Sequence, residues 1–351
     1  MYRGASIGVV MPAYDEEGFV GDVIREMPDY VDRIYAIDDR STDGTWDEIL
    51  EAAREDADAN AGRDAADDAP LVTDGGASAL TARASVRDSI GRVVPIQHRE
   101  NRGAGGAIKT GYLAARADGV DATVTVDADG QMDLSQMPRL LDPLVENEAD
   151  YAKGNRLLSR EYRAAMPRFR FVGNAILSFL TKIASGYWKT MDPQNGYTAI
   201  SGDALKAIDL ENLYEYYGYC NDLLVKLNVH GMRVADVAMP AVYGDEESSI
   251  TYSEYIPKVS TMLLRNFLWR LKTKYLVLDF HPLALFYLVG AGLATTGVFA
   301  AAVTLFATLA TVGPSVQGST TVLLLVAGIA FLLFAMVFDM AESEHLERQV
   351  R

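Results

Sequence analysis

Apolar residues come in short runs along the first half of the chain and in long unbroken runs near its end. Residues 7–11, 33–37, 92–97 and 122–126 are short apolar runs and predict strands. Between them, residues 18–28, 46–54 and 107–116 carry apolar positions at helical spacing. The second of these is entered through Ser41-Thr42-Asp43-Gly44-Thr45, a helix-start composition. Alternation of this kind predicts a mostly parallel sheet covered by helices. Ligands of such sheets bind outside the carboxyl ends of the strands. Here those ends carry residues 12–17, 38–39, 98–106 and 127–133, where the polar side chains concentrate. Residues 52–91 break the pattern with Ala, Asp and Gly, and predict an exposed, partly disordered insertion.

Residues 282–338 carry no charged side chain over 57 positions. Within them, 283–312 and 320–338 are nearly continuous apolar stretches, and a membrane-spanning helix needs about 20 such residues. The breaker-rich Gly313-Pro314-Ser315-Val316-Gln317-Gly318-Ser319 separates them, which predicts a hairpin crossing the membrane twice. Arg265, Arg270, Lys272 and Lys274 precede the first span, and Arg348 and Arg351 follow the second. The connecting loop has no basic residue, so the positive-inside rule places both ends in the cytoplasm. Met1-Tyr2-Arg3-Gly4 leads directly into a strand-like run, unlike a signal peptide. The expected organisation is a cytoplasmic domain over 1–250, an interfacial amphipathic helix over 251–280, two transmembrane helices over 281–340 and a cytoplasmic tail over 341–351. That describes a multi-pass protein of the cell membrane. Residues 162–189 mix Arg163, Arg168, Arg170, Lys182 and Lys189 with aromatic and aliphatic residues, and also suit an interfacial helix. Basic clusters beside the membrane in an acidic protein point to phosphate or anionic headgroups, or to plain interfacial anchoring.

Charge narrows the function further. The 32 Lys and Arg stand against 48 Asp and Glu, a net charge of −16, which argues against nucleic-acid binding. Acidic residues divide into 30 Asp and 18 Glu and basic ones into 23 Arg and 9 Lys, a bias resembling salt-adapted proteins. The single cysteine, Cys220, excludes a disulfide framework and any multi-cysteine metal site. The four histidines show no metal-ligand spacing.

Two segments carry chemistry. Asp127-Ala128-Asp129-Gly130-Gln131 places two carboxylates just past a strand. They can converge on one hard divalent cation, Mg²⁺ or Mn²⁺, or belong to a solvated turn. Gln131 adds a carbonyl oxygen or a hydrogen bond. Asn101-Arg102-Gly103-Ala104-Gly105-Gly106 follows a strand and opens a helix, where glycines admit phosphate oxygens to backbone amides, or form a turn with no ligand. Ile108 stands where a dinucleotide fingerprint needs glycine, and no P-loop sequence occurs.

Together with Pro12-Ala13-Tyr14-Asp15-Glu16-Glu17, Asp38-Asp39-Arg40-Ser41-Thr42-Asp43-Gly44-Thr45, Gly154-Asn155-Arg156 and Asp192-Pro193-Gln194-Asn195-Gly196-Tyr197, these segments resemble family 2 glycosyltransferases. The likeness is to polyprenyl-phosphate sugar synthases of the dolichol-phosphate mannose synthase type, and it spans residues 7–200. It implies a GT-A (nucleotide-diphospho-sugar transferase) α/β fold with a mostly parallel sheet and helices on both faces, followed by interfacial helices and a two-helix transmembrane hairpin. It implies that Pro12, Tyr14, Glu16, Asp38 and Asp39 hold base and ribose, with the turn at Asn101, Gly103 and Gly105 beside the nucleotide sugar. Asp127, Asp129 and Gln131 would hold the metal and the donor diphosphate. Arg156 would lie near the acceptor phosphate, with Arg168 and Arg170 as further basic candidates, and Asp192 near the reacting centre. Thr198 departs from the arginine that many members carry there. Asp222 is a late acidic candidate for a base, or a helix cap. The implied partners are membrane lipids, a dolichyl or polyprenyl phosphate and a nucleotide sugar, with GDP-mannose, UDP-glucose and UDP-N-acetylglucosamine all compatible. A glycan hydroxyl acceptor and a non-catalytic scaffold remain as rival readings. Residues 243–250 read as a loop near the site mouth, either an acceptor lid or a linker.

Overall fold

The computed structural model describes residues 1–60, 77–158, 168–239, 252–310 and 318–350. The expected loop at 243–250 lies outside them, as do the side chains of Arg168 and Arg170. Nine strands form one sheet: β1 (Ile7–Ala13), β2 (Arg33–Asp38), β3 (Ala84–Val86), β4 (Val93–His98), β5 (Ala122–Thr125), β6 (Tyr151–Asn155), β7 (Thr198–Ser201), β8 (Val234–Ala238) and β9 (Glu347–Val350). Their order is β3-β4-β2-β1-β5-β7-β6-β8-β9. The pairs β1–β2, β1–β5, β2–β4, β6–β8 and β8–β9 are parallel, and β3 and β7 run antiparallel to their neighbours. The sheet is therefore mostly parallel, as expected.

Helices cover both faces. Val9 and Met11 of β1 join the core under α1 (Val20–Arg25), α2 (Thr45–Ala59) and α5 (Met137–Val145). The alternate residue Val10 joins the opposite core, under α4 (Ala104–Asp118), α7 (Gly202–Ala207) and α8 (Tyr219–Val229). A strand buried on both faces reads as a continuous apolar run rather than an alternating one, which is why the sequence runs were legible. The topology also gathers the motifs. The parallel strands β1, β2, β4, β5 and β6 all end at one edge. Because β7 runs the other way, with Thr125 opposite Thr198, its entry segment 192–197 reaches that same edge.

Helix α3 (Ala77–Arg83) and β3 lie inside the expected insertion and are ordered, while its middle, 61–76, lies outside the described residues. On the other side of it, α2 runs on to Ala59 and buries Ala52, Ala53 and Asp56. Alanines fill that helix face, which hid its periodicity. Asp56 accepts a bidentate pair from Arg92 at 3.0 and 2.7 Å, which brings its charge indoors.

Helix α6 (Arg168–Ser185) and α9 (Tyr252–Lys272) pack on α8 through Ala184, Val225, Val259, Met262 and Leu263. Their outer sides leave Ile176, Phe179, Leu264 and Leu268 exposed. A π-helical turn, Thr273–Leu278, leads to α10 (Leu283–Ala310) and α11 (Gly318–Ser343). The apolar stretches Leu283–Ala307 and Gly318–Leu346 are long and apolar enough to cross a membrane. They pack antiparallel at backbone distance. A Cβ on Gly297 would lie 2.9 Å from the Leu325 side chain, and one on Gly328 would lie 2.5 Å from the Ala294 backbone nitrogen. Small residues allow this approach where apolar attraction between helices is weak.

Two expectations about the flanks change. The segment after the hairpin is not a plain tail, because β9 extends the sheet beside β8. Arg270 is not a headgroup cation either. It is fully buried against Asp339 of α11, with bonds of 2.8 and 2.7 Å. Its remaining donors reach Ala184 O at 2.9 Å and Ile183 O at 3.0 Å, and the Tyr275 hydroxyl donates to Asp339 at 2.8 Å. Lys274 bonds Asn228 Oδ1 at 3.0 Å, and burial, with Arg270 adding to it, pushes its ammonium down to about 8.

Candidate active site

The first two motifs are laced together at the carboxyl edge. Asp15 Oδ1 accepts the Thr42 N–H at 2.7 Å, Glu17 Oε2 accepts the Gly44 N–H at 3.0 Å, and Thr45 Oγ1 accepts the Glu16 N–H at 2.8 Å. Asp15 and Arg40 both hold positive φ, +54° and +66°. Such backbone persists where its surroundings over-determine it. Pro12 lies on β1 just before this edge, and Tyr14 is half exposed above it.

Asp38 is spent on structure: it accepts from Ser41 N at 3.0 Å and Gln97 Nε2 at 2.8 Å. Asp39 differs. Its Oδ1 accepts from His98 Nδ1 at 2.5 Å and Arg102 N at 2.8 Å, and His98 is braced by Thr110 at 2.7 Å. Its Oδ2 is buried with no hydrogen-bond partner among the described residues. A lone buried acceptor at this edge is costly unless a ligand donor meets it. His98, without metal spacing in the sequence, thus has a bracing role that the sequence did not indicate.

The glycine turn packs against protein on one side. Gly106 N donates to Glu215 O at 2.8 Å. A Cβ on Gly105 would sit 2.8 Å from the Glu215 carbonyl. Asn101 Oδ1 accepts the Gly103 N–H at 3.1 Å, which shapes the turn itself. At this helix start the Gly106 amide and the open side of Gly105 thus face the 214–215 backbone. Glu215, which the sequence did not single out, also gathers Arg83, Lys109 and Arg102 at 3.0, 2.7 and 3.3 Å.

Asp127 and Asp129 follow β5 with both side chains half-buried, while Ala128 between them is buried. Asp129 Oδ1 accepts the Gln131 N–H at 2.9 Å, closing the turn on itself. Gly196 comes up beside Asp127: a Cβ there would lie 3.4 Å from Oδ2 and 3.8 Å from the Tyr219 hydroxyl. Glycine keeps that space open. The donor set is hard oxygen, which fits Mg²⁺ or Mn²⁺. Among the described residues no group of three or more His, Cys, Asp or Glu gathers to hold an ion. An ion here would need further oxygens from a bound diphosphate.

Asp192 and Arg156 meet across β6 and β7. The Arg156 Nε and Nη2 reach the Asp192 oxygens at 2.7 and 2.8 Å. Asp192 is fully buried at φ +51°, whereas Arg156 is partly open. Burial pushes the Asp192 carboxyl up, but the Arg156 bonds and charge, with Lys153 behind, together outweigh it and hold it below the usual range. Behind the pair, Asp236 of β8 binds Lys153 at 3.0 Å, the Met191 N–H at 2.8 Å, and Asn155. An aspartate alone in an apolar strand was the available signal for it.

Asp222 stands apart from this group. Its oxygens accept from Tyr214 N at 2.9 Å, Lys226 Nζ at 3.2 Å and Asn266 Nδ2 at 2.7 Å, tying α8 to the 214 segment and to α9. That is a structural arrangement, though not the helix cap offered by the sequence.

Sequence comparison now adds to this geometry. The Glycosyl transferase family 2 profile matches residues 66–209, which take in the Asp127–Asp129, Arg156 and Asp192 segments. The chain carries a family 2 glycosyltransferase domain. This glycosyltransferase is 28% identical over 238 residues to a UDP-N-acetylglucosamine–dolichyl-phosphate N-acetylglucosaminyltransferase of Methanococcus voltae, covering 68% of this chain and 86% of the relative. It is 31% identical over 151 residues to an undecaprenyl-phosphate mannosyltransferase of Micrococcus luteus, covering 42% and 61% of the two chains. Among solved structures, glucosyl-3-phosphoglycerate synthase of Mycobacterium tuberculosis aligns with a TM-score of 0.48 at 19% identity, over 76% of this chain and 80% of that one. Both of these relatives are named for lipid-phosphate acceptors, and this chain carries two helices long and apolar enough to cross a membrane.

Proposed function

We propose that this glycosyltransferase moves a sugar from a nucleoside diphosphate donor to a polyprenyl phosphate at the cytoplasmic membrane face, with inversion at the anomeric carbon. The relatives use dolichyl and undecaprenyl phosphates by name, which supports the acceptor class. The observation that carries the reading is the placement of the Arg156–Asp192 pair. It stands on the two segments flanking α6, a helix whose outer side bares Ile176 and Phe179. A lipid-borne phosphate meets a guanidinium there without leaving the membrane surface.

In this reading the Asp39 Oδ2 atom accepts an N–H from the base. Asp127 and Asp129 would hold Mg²⁺ or Mn²⁺ together with the donor diphosphate. When bound, that ion neutralises charge on the leaving nucleoside diphosphate. Arg156 orients the acceptor phosphate, and Asp192 fixes the guanidinium by a two-point bond. Both Asp192 oxygens are taken by the Arg156 fork, and Asp222 is already occupied by three donors. Neither is arranged as a general base. A phosphate acceptor, already largely anionic near pH 7, needs none, whereas a hydroxyl acceptor does. Both ends of the hairpin attach to the same sheet-bearing body, through the α9 packing and through β9. This supports a two-pass protein with both ends on the catalytic side.

The deciding assay is label transfer by the purified protein in detergent with Mg²⁺ or Mn²⁺, dolichyl phosphate, and in turn UDP-N-acetylglucosamine, UDP-glucose and GDP-mannose. Labelled lipid with one donor is expected. Absence of labelled lipid with every donor, while nucleotide still binds, overturns the lipid-phosphate acceptor. Arg156→Lys gives a sharper check. Lysine keeps the charge but loses the fork, so the KM for lipid phosphate should rise about tenfold with the donor KM unmoved. Equal changes in both constants would remove Arg156 from the acceptor side.

A further inference from the structure

The strand that follows the hairpin reaches back into the candidate active site. Glu347 opens β9, and its carboxylate collects the N–H groups of consecutive residues: Trp188 at 2.8 Å on one oxygen, then Lys189 at 2.6 Å and Thr190 at 2.9 Å on the other. The Thr190 hydroxyl adds a longer contact at 3.4 Å. The next residue, Met191, donates its N–H to Asp236 at 2.8 Å, and its carbonyl accepts from Lys153. Asp192 follows, at positive φ and locked to Arg156. Every N–H from Trp188 to Met191 is thus held by a side-chain carboxylate from outside the loop. Upstream, Arg270 holds the Ile183 and Ala184 carbonyls, and a Cβ on Gly186 would collide with the Arg270 guanidinium.

Pairing of β9 with β8 does not need this carboxylate. That ladder is made by backbone groups from Val234–Glu347 to Val237–Val350. Burial pushes the Glu347 carboxyl up, offset in part by the three N–H groups it accepts. A desolvated acid kept at the start of a short edge strand has a use beyond the strand.

The geometry assigns Glu347 as a positioning residue for the Asp192–Arg156 pair: the chain returning from the hairpin clamps the loop that carries Asp192. The assignment rests on the reading of that pair as the acceptor side of a sugar transferase. Glu347 acts through the 188–191 backbone and is not placed on substrate. Loops that hold reacting groups must be fixed closely, since a misplacement of about 1 Å can cost on the order of 100-fold in rate.

The test uses the full chain in detergent micelles, with Glu347→Ala, Glu347→Gln and, as a control on the same strand, Arg348→Ala, which breaks only the outer 2.7 Å pair with Glu148. Transfer kinetics and amide hydrogen exchange are read together. For Glu347→Ala, kcat for lipid-phosphate glycosylation should fall about 10- to 100-fold with the donor KM unchanged. Glu347→Gln, which keeps one carbonyl acceptor, should fall between it and the parent, and Arg348→Ala should match the parent. Exchange should quicken at Trp188, Lys189 and Thr190 and onward through Asp192 and Asn195. A parental kcat in Glu347→Ala overturns the inference. So does a loss that merely follows the folded fraction or raises the donor KM equally. If the parent itself transfers no sugar, the functional reading fails on its own. The exchange data then still decide the clamp, because unchanged protection at Asp192–Asn195 in Glu347→Ala overturns it.

Discussion

Asp129→Ala is expected to lower sugar transfer by about 10²- to 10³-fold, the range seen when one preorganised stabiliser of transition-state charge is removed. The protein offers few oxygens at this point. Asp127 and Asp129 follow β5, and no larger ligand cluster forms among the described residues. Losing one of two carboxylates therefore weakens the ion and the diphosphate it would share. The fold should be little affected, since Asp129 is half-buried and its visible bond is to the Gln131 N–H of its own turn. The measurement is label transfer beside a thermal unfolding curve. A variant with parental turnover, or parental turnover in excess chelator, would sink the metal assignment. A variant that loses turnover only in proportion to its unfolded fraction would likewise remove Asp129 from the metal.

The second large effect concerns stability. Asp339→Ala leaves the Arg270 guanidinium fully buried and uncompensated, and breaking such a pair costs about 3–5 kcal/mol. The bond is two-pronged, at 2.8 and 2.7 Å, and Tyr275 shares the same carboxylate. Replacing both partners together, Arg270→Met with Asp339→Leu, removes the stranded charge and should recover most of the loss. Denaturant unfolding in micelles separates the two cases. If the single and double variants unfold alike, the ion pair is not what holds α11 to α6 and α9.

Much of the first half of the fold was legible in the sequence because its strands are buried on both faces and alternate with helices of ordinary length. The carboxyl-edge motifs were legible for the same reason, since topology forces strand ends together. What escaped has physical causes. β9 is short and reads Glu-Arg-Gln-Val, with no periodicity to betray a strand. Arg270 sits among other basic residues and looks like one more interfacial cation. Its partner Asp339 was the available clue, a lone acid at the end of a long uncharged stretch, where membrane-boundary charges are costly without a mate. The approach of the Glu215 backbone to Gly105 was not legible, because the space that glycine leaves is the same whether a ligand or a backbone enters it. Asp222 read as a helix cap or a base because its real partners, Tyr214 and Asn266, come from segments that periodicity cannot bring together.

The parallel pairing of β8 with β9 also fixes an order of events during synthesis. Val234 finds its neighbour Glu347 only after the whole apolar hairpin has left the ribosome. Until then β8 stands as an open sheet edge, a template for wrong pairing. Non-local strand pairing of this kind forms late, after the cost of closing the intervening chain has been met. The two long apolar helices lie between these strands, so the open edge persists while the most aggregation-prone part of the chain is being made. The β8 edge is thus covered last, after the hairpin that separates it from β9 has been made.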